Sequence, residues 1–167
     1  MTLDEFNNLP EAEAYAALTK CCGAHRWVNK VAHQRPYRDE ADLLSAADET
    51  WEHLGPDDWK EAFTHHPKIG DLDALRAKFA TTKDWASGEQ AGTEQASEDV
   101  LQGLAQGNAD YEARFGYIFI VCATGKSAQE MLDLLRARLG NPPEREIHVA
   151  AAEQAKITRL RLEKLLA

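Results

Sequence analysis

Apolar residues recur at threes and fours along almost the whole chain, which is the period of an amphipathic helix. Tyr15, Leu18 and Cys22 form such a row behind Pro10, a proline suited to a first helical turn, and Gly23 closes it. Trp27, Val28 and Val31 begin a second, short row. Arg35-Pro36 stops it, because the residue before a proline resists helical geometry. Asp39 or Asp42 is placed to cap the next helix, whose apolar face carries Leu43, Leu44, Ala47, Trp51 and Leu54. Gly55-Pro56 breaks that helix. Asp57, Asp58 and Glu61 then load the first turn of another with negative charge, where the helix dipole welcomes it. This helix buries Trp59 and Phe63, and the pattern predicts its end at His66, ahead of Pro67.

Between Gly70 and Gly92 the period weakens: "DLDALRAKFA" can form two turns, while "TTKDWASGEQAGTEQAS" is small, polar and glycine-bearing, a loop or short helix that carries side chains. Helical spacing resumes from Ser97 through Val100, Leu101, Leu104, Tyr111 and Phe115. The run Tyr117-Ile118-Phe119-Ile120-Val121-Cys122-Ala123 suits a strand or a buried helix equally by composition. A lone strand has no partner elsewhere in the chain, so a helix or an irregular buried segment is expected. Ser127 with Glu130 three residues on forms a capping box, followed by Met131, Leu132, Leu134, Leu135 and Leu139. Gly140-Asn141-Pro142-Pro143 ends that helix, and a last one runs from about Pro143 to Leu166. The expected fold is all-α: a single-domain bundle of about eight helices over residues 1–167, with no sheet and no internal repeat.

Composition narrows the partners. The 167 residues are 44% hydrophobic and 28% charged, ordinary for a globular domain, and the net charge is −9. That charge repels nucleic acid and anionic membranes, so neither is an expected partner. No apolar run approaches the roughly 18–20 residues that span a bilayer, and the N-terminus lacks the basic and apolar regions of a signal peptide. Three cysteines, two of them adjacent (Cys21, Cys22) and one inside the apolar run (Cys122), make a poor disulfide framework and suit a reducing cytoplasm.

The chemistry-bearing residues are few. Adjacent His65 and His66 point about 100° apart on a helix, and no HxxxH or HExxH accompanies them, so no metal site is expected. Cys122 reads as a packed thiol, and Cys21 and Cys22 sit at a helix C-terminus, where the dipole discourages a thiolate. A histidine held between a helix end and Pro67 suits general acid–base work, and equally suits a helix-end cap. Glu89-Gln90 lies in the polar segment after Trp85, but Glu94-Gln95 repeats the dipeptide and spacing does not choose between them. Arg159 and Arg161 lie about 200° apart on the last helix, so only one of them can face a given pocket. An arginine there could grip a substrate carboxylate or make a surface pair with Glu163.

At these residues the chain resembles the OHCU decarboxylase family, the 2-oxo-4-hydroxy-4-carboxy-5-ureidoimidazoline decarboxylases of urate breakdown. The resemblance is carried by "HHPKIGD" from His65, "WASGEQAG" from Trp85, "NADYEARFGYIFIVCATGKSAQEML" from Asn108 and "EQAKITRLRLEKLL" from Glu153, in that order. It implies an all-α homodimer that works without metal or organic cofactor and produces (S)-allantoin. It also implies that His66 is the catalytic acid/base, Glu89 its partner and Arg161 the arginine of the site. Gln90, Pro67, the residues Ala86, Ser87 and Gly88, and Phe119, Ile120, Val121, Cys122 and Ala123 would contact a small anionic ureidoimidazoline substrate. Two alternatives stand beside this one: another ureide lyase on the same scaffold, and a non-catalytic helical module in which His66 is a cap.

Overall fold

The structure, a computed structural model, describes residues 1–67, 73, 75 and 91–167, with residues 91–97 described by backbone alone. Eight helices appear among the described residues and no strand: α1 (Leu3–Asn7), α2 (Glu11–Cys21), α3 (His25–His33), α4 (Glu40–Glu52), α5 (Pro56–Thr64), α6 (Ala91–Phe115), α7 (Ala128–Leu139) and α8 (Pro143–Leu165). The protein is all-α. By contacts it divides into two compact units, Met1–His66 with Ile147–Ala167, and Pro67–Glu146.

In the first unit the expected helices form where their stop signals place them. Asp39, rather than Asp42, caps α4, accepting from the Asp42 backbone N–H at 2.8 Å. Pro56 opens α5, but that helix ends at Thr64, two residues short of the expected His66. The short α1 is an element that apolar spacing did not predict. Its signal is a capping box between Thr2 and Glu5, and its single buried residue is Phe6. Arg35 fastens it by donating from Nη1 to the Phe6 and Leu9 carbonyls at 2.8 and 3.0 Å.

The core of this unit is built on Phe6, Leu18, Trp27, Val31, Leu43, Phe63 and Leu162, all fully buried. Three tryptophans take part, and each indole N–H finds a backbone carbonyl: Trp27 to Ala47, Trp51 to Ala151 and Trp59 to Trp51, at 3.1, 2.9 and 3.2 Å. An indole can be buried at little cost only when its N–H is paired in this way. The Trp51 bond joins α4 to α8 and so fixes the register of the last helix in this unit.

The second unit is organised by α6 and α7. α6 starts at Ala91, six residues before the expected Ser97. α7 begins at Ser127's capping box, where Ser127 Oγ accepts from the Glu130 N–H at 3.1 Å. Gly103 and Gly107 let the two helices approach closely: a Cβ on Gly107 would stand 2.5 Å from Leu135 Cδ2, and one on Gly103 3.0 Å from Leu132 Cδ2. The 117–123 run is neither strand nor helix but an irregular segment, with Tyr117, Ile120 and Cys122 buried.

That segment lacks a ladder of its own, so side chains satisfy its backbone. Arg138 Nη1 donates to the Ile120 carbonyl at 2.7 Å, and Lys126 Nζ donates to the Cys122 carbonyl at 2.8 Å. Arg138 is itself buried, with its charge matched by Glu146, which has no exposed surface. Two guanidinium N–H groups, on Nε and Nη2, reach Glu146 Oε2 at 2.9 and 2.6 Å. The Tyr111 hydroxyl donates to the same oxygen, and Asn141 Nδ2 donates to Oε1 at 2.9 Å. A buried carboxylate is tolerable when its lone pairs are filled this fully. The guanidinium also lies 4.5 Å from the Phe119 ring centroid and 5.8 Å from that of Tyr111.

Candidate active site

His66 follows the C-terminal turn of α5. The Phe63 carbonyl accepts from its backbone N–H at 3.2 Å, and Pro67 restrains the chain beyond. Its ring is half-buried, and Nε2 lies 2.5 Å from Gln154 Oε1 on α8. Gln154 is only 1% exposed, an uncommon burial for an amide, and both of its polar atoms have a partner. Its Nε2 donates to Thr158 Oγ1 at 3.0 Å.

Burial holds the His66 imidazole below its ordinary pKa. The Gln154 hydrogen bond partly opposes this, while the nearby charges of Arg161 and His65 add to it. A neutral ring at neutral pH is the consequence. The same surroundings make the cysteines poor nucleophiles: burial pushes both Cys21 and Cys22 up to about 11, against a small opposing effect of Arg161. Cys122 is buried as well, in the second unit.

The two arginines of α8 separate as helical geometry requires. Arg159 faces outward and pairs with Asp48 at 3.5 Å and Glu163 at 3.4 Å. Arg161 points toward the end of α2, where Nη1 donates to the Lys20 carbonyl at 3.5 Å, and its charge is felt at His66, Cys21 and Cys22. The arrangement therefore offers a neutral imidazole with one ring nitrogen engaged, and a guanidinium whose charge acts on that ring.

His65 has a different part. It is exposed at the end of α5, and its ring lies over Gly23, where any Cβ would collide with it. Gly23 thus does more than close α2. It leaves room for the ring of the neighbouring histidine.

Of the other expected contact residues, Pro67 is described and exposed. Phe119, Ile120, Val121, Cys122 and Ala123 lie in the second unit, on the segment pinned by Arg138 and Lys126. Glu89, Gln90, Ala86, Ser87 and Gly88 lie outside the described residues. So do the side chains of Glu94 and Gln95, although their backbone belongs to α6. Among the described residues no three His, Cys, Asp or Glu side chains come together as metal ligands.

Gln154 is the residue that sequence reasoning passed over. Its signal was present in "EQAKITRLRLEKLL": Gln154, Thr158 and Arg161 are spaced four and three apart, which puts all three on one helix face. A polar pair continuing the buried row of Ala150, Ala151 and Leu162 marks a face that does more than pack.

Fold and site together define an all-α protein with a half-buried histidine held by a buried glutamine of its last helix, and an arginine further along that helix. The particular family follows from comparison with known proteins. The model of the OHCU decarboxylase family matches residues 7–163, and the chain belongs to that family. It is 34% identical over 145 residues to the uric acid degradation bifunctional protein TTL of Arabidopsis thaliana, covering 87% of this chain and 45% of that protein. It is 30% identical to the 2-oxo-4-hydroxy-4-carboxy-5-ureidoimidazoline decarboxylase of Amia calva, covering 79% and 75% of the two chains. The chain thus spans less than half the length of the bifunctional relative and three quarters of the single-function one. Among solved structures, OHCU decarboxylase crystallised in the presence of (S)-allantoin superimposes with a TM-score of 0.70 at 35% identity, covering 89% of this chain and 95% of that one. An (S)-allantoin synthase, at 17% identity and a TM-score of 0.69, shares the fold.

Proposed function

We propose that the protein decarboxylates 2-oxo-4-hydroxy-4-carboxy-5-ureidoimidazoline to (S)-allantoin, without a metal or organic cofactor. The observation that carries this reading is the half-buried, neutral His66, with Nε2 held by Gln154 and Arg161 nearby, in a chain of this family. The substrate needs no external electron sink. As the C–CO2 bond breaks, its electron pair forms a C=C bond to the ureido-bearing carbon, the C=N pair moves onto the ring nitrogen, which takes up a proton, and an enol is left. The enol hydroxyl gives up a proton, and the ureido-bearing carbon takes one. Delivery of that proton to a single face sets the S configuration.

His66 carries the proton traffic, for which a neutral imidazole near its working pH is suited; such help is typically worth about 10²–10⁴-fold. Arg161 grips the substrate's anionic edge, adding orientation to charge. Resemblance supports the remaining roles: Glu89 as a catalytic carboxylate acting alongside the imidazole, and Gln90, 86–88, Pro67 and 119–123 as substrate contacts. It likewise supports a homodimer, and one functional domain across both units, since the family match runs through both. The cysteine pattern supports a cytoplasmic setting. Among the described residues no helix is long and apolar enough to cross a membrane.

The test is a coupled urate-degradation assay that follows the optical activity of the allantoin formed. His66→Ala abolishes the enzymatic excess of the S form, whereas His65→Ala loses little. Full rate and full enantiomeric excess in His66→Ala would remove the histidine from the mechanism.

A further inference from the structure

We propose that Gln154 is a positioning residue: anchored by Thr158, it holds His66 as the Nε2–H tautomer and leaves Nδ1 as the atom that exchanges protons with substrate. The inference rests on the decarboxylase reading for its catalytic consequence, but the tautomer itself does not.

The geometry points in one direction along the chain of bonds. An amide presents one end that only donates and one that only accepts. The end of Gln154 nearer Thr158 is Nε2, which donates to the threonine oxygen at 3.0 Å. A threonine hydroxyl oxygen carries lone pairs and accepts that N–H. With Nε2 turned to the threonine, Oε1 is the end that meets His66 Nε2. An oxygen that can only accept requires a proton on the nitrogen opposite. A neutral imidazole carries one ring proton, so with Nε2–H committed to Gln154 the lone pair resides on Nδ1.

Burial makes the arrangement firm. Gln154 is 1% and Thr158 6% exposed, so neither side chain can exchange these partners for water. Gln154 and Thr158 are one turn apart on α8, and Arg161 lies on the same face three residues on. One rigid helix thus sets the tautomer of the proposed acid–base group and aims the proposed anion-binding arginine. During turnover Nδ1 would take the hydroxyl proton and return one to carbon, while the Nε2–H···Oε1 bond persists through both states of the ring. The charged groups that bear on the ring from neighbouring elements are Arg161 and His65, both of which disfavour its protonated form.

Two measurements on the full chain test this. Ring ¹⁵N chemical shifts of His66, assigned by comparison with His66→Gln, report the tautomer without any turnover. The expected result is Nε2–H as the major neutral form, and Nδ1–H as the major form overturns the proposal. Kinetically, Gln154→Leu lowers kcat by about tenfold with KM nearly unchanged, the size expected for loss of one orienting hydrogen bond. Gln154→Glu is isosteric and keeps an acceptor, so it retains the tautomer and moves the acidic limb of the pH–rate profile upward.

Thr158→Val frees the amide to turn and lowers kcat in the same sense, with a mixed tautomer population. It also decides the matter if Gln154→Leu fails to fold. Unchanged kcat and unchanged ring shifts in the folded Gln154 and Thr158 variants overturn the positioning role. If His66→Ala retains activity, the decarboxylase role of His66 fails instead, and the ring shifts still report on the tautomer.

Discussion

Replacing Arg138 by methionine tests how the second unit holds its irregular segment. The change keeps most of the side-chain volume and removes the charge and every donor. Glu146, with no exposed surface, then loses the two guanidinium bonds to Oε2 and keeps only those from Tyr111 and Asn141. Stranding one member of a buried ion pair costs about 3–5 kcal/mol. The Ile120 carbonyl also loses its donor. For a domain of this size, 1 kcal/mol corresponds to roughly 2–4 °C, so the melting temperature falls by about 10 °C.

The decisive comparison is the double variant Arg138→Met with Glu146→Gln. It removes the stranded charge while keeping an amide for Asn141 and Tyr111, and leaves mainly the unpaired Ile120 carbonyl, at about 1–3 kcal/mol. Urea denaturation followed by far-UV circular dichroism therefore finds the double variant more stable than Arg138→Met alone. Additive losses, with the double variant the least stable of the set, would show that the two charges do not depend on each other. Because Arg138 holds the Ile120 carbonyl in the proposed contact segment, the proposed decarboxylation falls along with stability.

Two further outcomes follow from the packing and from the buried imidazole. Gly107→Ala gains roughly 1 kcal/mol of helix propensity but drives a Cβ to 2.5 Å from Leu135 Cδ2, in a side chain with no exposed surface. Overpacking of this kind costs about 1–3 kcal/mol, so the substitution destabilises, and in a Leu135→Ala background it becomes neutral or stabilising in the same urea measurement. The His66 pKa is lowered in the folded state, so the unfolded chain binds the proton first as pH falls. Stability is accordingly unaffected by this group above about pH 7 and declines as pH drops from about 6.5 toward the folded value. The difference in stability between the native chain and His66→Gln is therefore pH-dependent only in that window, and a flat difference there contradicts the buried environment.

Much of this protein is written in local sequence. The helix starts at Asp39, Pro56 and Ser127 depend on side chains within a turn of each cap, and the breaks at Arg35-Pro36 and Gly55-Pro56 depend on backbone sterics. These are short-range effects and need no fold to be read. The division of Arg159 from Arg161 is of the same kind, because two residues on one helix cannot point the same way. Family-specific motifs then singled out His66 among the histidines.

Tertiary structure decided what local pattern could not. The 117–123 run has the composition of a strand or a buried helix, and its irregular course depends on donors from Arg138 and Lys126, the first of them 18 residues from its acceptor. Gly23 looked like a helix stop until the ring of His65 was found above it, 42 positions along the chain. The spacing of Gln154 and Thr158 puts them on one helix face, but only the fold brings Gln154 to His66, across 88 positions. The physical reason is the same in each case. A cap or a break is fixed by the few residues around it, whereas burial, and the hydrogen bonds burial demands, are fixed by chain segments that sequence order keeps far apart.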